Sequence, residues 1–158
     1  MIWVIILIGV AILAVVIVLA NNKHKKLVES GEIADRNANF VKEAVDFQVK
    51  NADPQVVAEK LKAGMQNIGV SCKGSISAQD FEFQGAGWVA ALKKIAENDG
   101  TSTYRWQFLN WKTRNGMPED GLNMNRTLTA IEKMFLSIDP ETTQTKQIMQ
   151  VKEEGTQG

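Results

Sequence analysis

The first twenty residues constrain this chain more than any other feature, because they contain an uninterrupted apolar run. From Ile2 to Ala20 there are 19 residues without a charged side chain, nearly all of them Ile, Val, Leu or Ala. As a helix this run would extend about 28 Å, close to the hydrocarbon thickness of a bilayer. A helix that is apolar on every side does not suit the core of a small domain. The run therefore predicts a single transmembrane helix at residues 1–22, with Trp3 at one membrane interface.

The end of the apolar run also fits a second interpretation, an exported protein with a cleaved signal peptide. The residues Val18–Ala20 would pass as a cleavage site. A signal peptide, however, carries basic residues before its apolar segment, and here no basic side chain precedes the run, which is also longer than such segments usually are. A permanent anchor is the favoured interpretation, and cleavage after Ala20 is the alternative.

A basic cluster follows the apolar run and predicts the orientation of the chain. Lys23, Lys25 and Lys26 lie beside His24, whereas the N-terminal flank has no Lys or Arg. Positive residues close to a span favour the cytosolic side. We therefore expect a single-pass membrane protein of bacterial type in the cell membrane, with its N-terminus outside and its domain in the cytosol. The three lysines should lie at the membrane interface and attract anionic headgroups.

The rest of the chain is mildly acidic and has few residues of metal-binding or catalytic type. Apart from the three lysines, 15 basic and 18 acidic side chains remain, which argues against general binding to nucleic-acid phosphates. The single cysteine, Cys72, excludes an intrachain disulfide, and one cysteine with one histidine does not make a zinc site. The chain also lacks the glycine-rich loops that bind nucleotide phosphates. No cofactor or metal is expected.

Hydrophobic periodicity predicts an α+β domain at residues 41–139, after a basic connector at 23–40 and before a polar tail at 140–158. Strands are expected where apolar and polar residues alternate, at 43–50, 70–77, 80–84 and 103–111. Helices are expected where capping residues flank an apolar stripe, at 54–68, 87–100 and 122–139. The resulting order is a ferredoxin-like β-α-β-β-α-β sandwich with an added C-terminal helix. The tail is expected to be an edge strand or disordered.

The phase of the predicted strands indicates which side chains enter the core. The face towards the helices should carry seven residues: Val45, Phe47, Phe81, Phe83, Tyr104, Trp106 and Phe108. The other face should be polar except for Leu109 and Trp111. These two residues are expected to bury the apolar stripe of the third helix, unless that stripe packs against another chain.

The lack of an evident catalytic set makes a protein-interaction or accessory module the leading expectation for the domain. The lipid bilayer is the expected partner of residues 2–20, and a protein partner or self-association is expected for the domain. The expected contact surface contains four residues: Arg105, Leu109, Trp111 and Arg114.

Two other functions are weighed against this expectation. A membrane-associated enzyme acting on a lipid or peptide would use carboxylates such as Asp80 and Glu82, which share one strand face. An RNA-binding domain of similar topology would stack bases on aromatic residues of its open face, but here the aromatic residues are in phase with the core. The enzyme and the exported domain remain alternatives, and nucleic-acid binding is not expected.

Overall fold

The computed structural model of the chain describes residues 2–149, with side chains described at Ile6 and from Gly9 onward, in two units that divide between Asp35 and Arg36. The first unit is the helix α1, Ile2–Glu29, followed by a tight turn. Gly31 adopts a left-handed conformation with φ of 69° after the helix, a conformation that glycine accepts without steric cost. The predicted boundary between an anchor at 1–22 and a connector at 23–40 thus falls inside one continuous helix.

The apolar side chains of α1 are exposed around its whole circumference. From Val15 to Leu19, five successive side chains are each 51–62% exposed, and five residues more than complete a helical turn of about 3.6 residues. Among the residues whose side chains are described, no helix combines the length and the apolar character that crossing a bilayer requires.

The second unit contains an antiparallel sheet of six strands, two long helices and a short 3-10 helix at Ala38–Lys42. The sheet strands, in chain order, are β1 Glu43–Lys50, β2 Ser71–Ser75, β3 Asp80–Gly85, β4 Trp88–Asn98, β5 Thr101–Trp111 and β8 Thr143–Ile148. In space their order is β2-β3-β4-β5-β1-β8. The helices are α2 Pro54–Ile68 and α3 Gly121–Ile138, and β6 Thr113–Arg114 pairs with β7 Met117–Pro118 in a small hairpin.

The α+β class is confirmed, but the ferredoxin-like order is wrong because the predicted helix at 87–100 is the strand β4. In β4 the buried residues Trp88, Ala90 and Leu92 alternate along the chain, and the strand pairs with β3 on one side and β5 on the other. Its Ala, Leu, Lys and Glu residues are good helix formers, so local propensity favoured the wrong structure. Ile95 is 48% exposed at an irregularity of the β4–β5 pairing.

A bulge in β5 corrects the predicted position of Trp111. In the β4–β5 pairing Phe108 lies opposite Ala90 and Asn110 lies opposite Val89, so Leu109 is an extra residue without a partner. One extra residue reverses the alternation of every side chain that follows it. Trp111 therefore turns into the core with only 8% of its surface exposed, and Leu109 stays 41% exposed.

Both long helices cover one face of the sheet. Asp53 caps α2 by accepting hydrogen bonds from two backbone N–H groups at 2.8 and 3.1 Å, and Gly69 ends the helix with φ of 70°, as the sequence predicted. All seven predicted core residues are buried, which confirms the predicted strand phases. In α3, Phe135 packs its ring 4.9 Å from that of Phe47 and 5.0 Å from that of Tyr104.

The packing of α3 also corrects its predicted partners. Its apolar stripe, Met124, Leu128, Ile131 and Phe135, is buried in the same core as α2 and the strands. It does not need Leu109 to cover it. The first part of the polar tail forms the edge strand β8, and residues 150–158 lie outside the described part of the chain.

Candidate interaction site

Arg105, one of the predicted contact residues, is held in an ion pair across the sheet. Its Nε and terminal amino groups each donate to a carboxylate oxygen of Asp46 at 2.7 Å. This two-bond geometry, with the Arg and Asp side chains 30% and 12% exposed, raises the pKa of Arg105 further above neutrality. Gln147 on β8 also donates to Asp46, at 3.3 Å. Arg105 thus ties β5 to β1 and β8.

The other three predicted contact residues lie in different environments. Trp111 is in the core, Leu109 is half-exposed at the bulge, and Arg114 is exposed in the β6–β7 hairpin. The four residues do not form one continuous exposed surface, because Trp111 is buried and the guanidinium of Arg105 is already paired.

The carboxylates considered for catalysis lie on the polar face of the sheet. Asp80 forms an ion pair with Lys93 on β4, in which Nζ of the lysine lies 3.0 Å from a carboxylate oxygen. Glu82 is exposed and lies opposite Lys73 of β2. Within the described residues, no three His, Cys, Asp or Glu side chains come close enough together to hold a metal ion. The polar face therefore offers balanced charges rather than an acid–base pair in a cleft.

Two groups of nucleophilic type, the partly buried Cys72 and the buried Tyr104, are held in their protonated forms. Burial raises the pKa of the Cys72 thiol, so the reactive thiolate is disfavoured at neutral pH. Burial and nearby carboxylates raise the pKa of Tyr104 to about 12, and its hydroxyl donates to the side chain of Gln79. Neither group is poised for chemistry at physiological pH.

The basic cluster after the apolar run lies on the last turns of α1. Lys23, Lys25 and Lys26 are exposed, as an interfacial position would require, and Lys25 is 3.9 Å from Glu29. His24 lies 3.7 Å from Asp35, in the segment that follows the turn. The side chain of Trp3, predicted at the opposite interface, lies outside the described residues.

A shallow groove of about 420 Å³ lies between α2 and α3. Its floor is lined by the apolar side chains of Leu61, Met65, Ile68, Ile131 and Met134. The floor residues of the core are themselves nearly buried, so the groove is an open depression on the helix layer and not an internal cavity.

Small residues keep this groove open. Ala63, Gly64 and Ala130 line it where larger side chains would fill it. A Cβ atom added at Gly64 would meet no atom within 4 Å, so the glycine faces open space. Glycine also weakens a helix interior by roughly 0.5–1 kcal/mol relative to alanine. Gly64 is thus a locally unfavourable residue that leaves room beside α2.

Basic residues border the apolar floor. Lys60 on α2 and Lys133 on α3 both line the groove and are exposed. The methionines Met65 and Met134, whose side chains are flexible and polarizable, also line the groove. The groove was not predicted from the sequence, although Gly64, a glycine inside a predicted helix, was an available signal.

Comparison with known proteins assigns the chain to no family, because no family model and no curated protein matches it.

Proposed function

We propose that this protein is a single-pass membrane-anchored interaction module whose α+β domain binds a partner helix in the groove between α2 and α3. The observation that carries the proposal is the groove itself, an apolar strip kept open by Gly64 and bordered by Lys60 and Lys133. Grooves of this kind between helices receive the apolar face of an amphipathic helix.

The anchoring part of the proposal rests on the sequence of residues 2–20. As a helix, these uncharged residues have a length close to the hydrocarbon thickness of a bilayer. The described apolar side chains of α1 are exposed on every side. Exposed apolar surface of this extent is typical of membrane or protein interaction sites. The lysines after the run favour a cytosolic domain and an outward N-terminus.

The chemistry of the groove specifies the partner segment. Its apolar side chains should recur at helical spacing to fill the floor, and acidic residues should flank them to meet Lys60. The groove is shallow, so we expect a modest affinity that membrane attachment of both proteins would raise through their effective concentration.

Site-specific photo-cross-linking in cells tests the groove. A cross-linker at Ala63, which lines the groove, should trap one partner, and a cross-linker at the exposed Glu59 outside it should not. Gly64→Leu places a larger side chain in the open space and should abolish the product. Gln66→Leu adds the same side chain on the exposed surface of α2 outside the groove and should leave the product unchanged.

A product that also forms from Glu59, or that survives Gly64→Leu, would contradict groove binding. The contact surface predicted from the sequence is tested in the same experiment by a cross-linker at the exposed Leu109. A trapped protein that contains no amphipathic segment with acidic flanks would show that the proposed recognition is wrong.

Fusion of a reporter to the C-terminus tests the placement of the domain. A reporter that is active only in the cytosol should be active, and one that is active only outside the cell should be inactive. The mass of the mature protein should include residues 1–20. A chain shortened after Ala20 or an active exterior reporter would favour an exported domain instead.

A further inference from the structure

The outer edge of β8 presents backbone groups that no described strand satisfies. β8 is the last strand of the sheet, pairs with β1 on its inner side, and has all six side chains exposed. Its six pairs with β1 run without a register shift, so no bulge twists the edge away. Natural sheet edges are usually protected by proline, by bulges or by charged side chains, especially lysine.

The register with β1 identifies which residues point outward. The N–H of Met149 donates to the carbonyl of Lys42 at 2.9 Å, so this pair is hydrogen-bonded. Alternation along an antiparallel ladder then directs the backbone groups of Thr143, Thr145 and Gln147 towards β1. The N–H and C=O groups of Gln144, Lys146 and Ile148 point to the free edge.

The composition of β8 leaves this edge ready for pairing. The strand Thr143–Ile148 contains no proline and no glycine, and threonine and isoleucine favour extended structure. Its single charge, Lys146, lies 3.8 Å from Glu43 on β1, which partly balances it. One balanced lysine is little protection for an edge of six residues.

We propose that β8 pairs in antiparallel orientation with β8 of a second copy of this chain, about a two-fold axis at Thr145. In this register Gln144 lies opposite Lys146 of the partner subunit, and both residues direct their backbone groups to the free edge. The pairing forms about four backbone hydrogen bonds and joins the two sheets into one. Thr145 then lies beside its own symmetry mate in a non-hydrogen-bonded pair.

Two symmetric registers, with axes at Thr145 and at Lys146, pair five residues of the strand, and charge selects between them. An axis at Lys146 would place two lysines directly opposite each other, which is unfavourable in a sheet. An axis at Gln147 would pair only three residues of the described strand, Lys146–Ile148. The axis at Thr145 avoids like charges and uses only Thr143–Gln147, and two-fold pairing closes the assembly at a dimer.

The proposed membrane anchor would strengthen a contact of this size. Pairing of two strand edges buries less surface than the roughly 1,200–2,000 Å² of a stable soluble complex. Confinement of both copies to one membrane raises their effective concentration. The edge is separate from the groove, so Gly64→Leu should leave dimerisation unchanged.

Disulfide trapping in membranes from cells that express the full chain tests the register, with Cys72→Ser to remove the native thiol. Two residues in a non-hydrogen-bonded pair have Cα atoms about 4.5 Å apart, within the range for a disulfide. Thr145→Cys should therefore give a covalent dimer under mild oxidation. Thr143→Cys and Gln147→Cys should not do so alone but should cross-link when the two variants are co-expressed.

Charge substitutions provide a second readout. Gln144→Glu should raise the dimerisation constant by about two- to tenfold through an ion pair with Lys146 of the partner subunit, and Gln144→Lys should lower it by a similar factor. With Lys146→Gln in both chains, the two variants should dimerise equally. If the two variants still differed in their dimerisation constants, another charged residue would have to lie opposite residue 144, and the proposed register would be wrong.

Three results would overturn the proposal. The first is a Thr145→Cys chain that stays monomeric after oxidation. The second is equal cross-linking by the single cysteine variants at 143, 145 and 147, which would indicate random collision. The third is cross-linking that appears only when the chain is ended after Met149, because it would identify the C-terminal residues as the occupant of the edge.

Discussion

The hydrogen bonds of two buried tryptophans lead to a sharp prediction about stability. Trp88 is 2% exposed, and its indole N–H donates to a carboxylate oxygen of Asp120 at 2.8 Å. Trp106 is fully buried, and its indole N–H has no hydrogen-bond partner among the described residues. Replacement of each by phenylalanine removes the same atoms from two equally buried sites, but only one replacement breaks a hydrogen bond.

The magnitude follows from what does not cancel between the two substitutions. The transfer and cavity contributions should be similar, because both side chains lose the same atoms from sites of equal burial. Loss of a hydrogen bond to a charged acceptor costs roughly 1.5–3 kcal/mol, and removal of an unsatisfied buried donor recovers roughly 1–3 kcal/mol. Asp120 keeps a second bond, from Asn123 at 2.7 Å, which limits the penalty. Trp88→Phe should therefore reduce the free energy of unfolding by about 3 kcal/mol more than Trp106→Phe.

Denaturant unfolding of the full chain in detergent measures this difference. The transition of the sheet can be followed by circular dichroism, with linear extrapolation to zero denaturant and a check that the slope is unchanged. Near-ultraviolet spectra of both variants control for native packing. Equal destabilisation of the two variants, or a larger loss at Trp106, would refute the reasoning, because the Trp106 N–H would then have a partner such as an internal water.

Three further predictions concern a buried ion pair, the groove and the response to acid. The guanidinium of Arg36 is 5% exposed and is paired with Glu132, which is 14% exposed. Arg36→Ala should therefore lower the free energy of unfolding, measured with denaturant, by about 3–5 kcal/mol. Arg36→Met combined with Glu132→Leu should lower it by less than either single change. Gly64→Ala should stabilise the protein by about 0.5–1 kcal/mol, since the added methyl group meets open space in a helix; a loss of stability would contradict the packing. Two backbone N–H groups donate to the carboxylate of Asp139 and lower its pKa below 3.8. The stability that the ionised carboxylate adds to the folded state is therefore complete above pH 3.8 and is lost as the pH falls through the folded pKa. Acid titration of stability should therefore show a smaller loss for Asp139→Asn than for the original chain.

Much of the local structure was predictable because its signals lie within a few residues of each other. The helix α2 has a capping aspartate, a proline in its first turn and a glycine at its end, and each acts on the neighbouring backbone. The strand β1 and the helix α3 were recognised from alternation and from an apolar stripe, respectively. The seven predicted core residues are buried because strand phase is a local property.

The candidate site was not predictable in the same way. The residues of the groove lie in two helices that are far apart in the sequence, and each apolar member was already explained as part of a core stripe. The exposed β8 edge also depends on where the strand adds to the sheet, which its own polar sequence does not specify. Both surfaces arise from the relative placement of elements.

The sequence by itself determined the apolar N-terminal run, the basic residues after it, the caps of α2 and the phases of most strands, since each depends on the nearest residues. Only the tertiary structure decided that residues 88–98 form a strand, because pairing on both sides outweighed their helix propensity. It alone decided that Trp111 is in the core, because the bulge at Leu109 is a property of the β4–β5 pairing. Pairing partners and packing directions come from distant parts of the chain, and a local pattern carries no information about them.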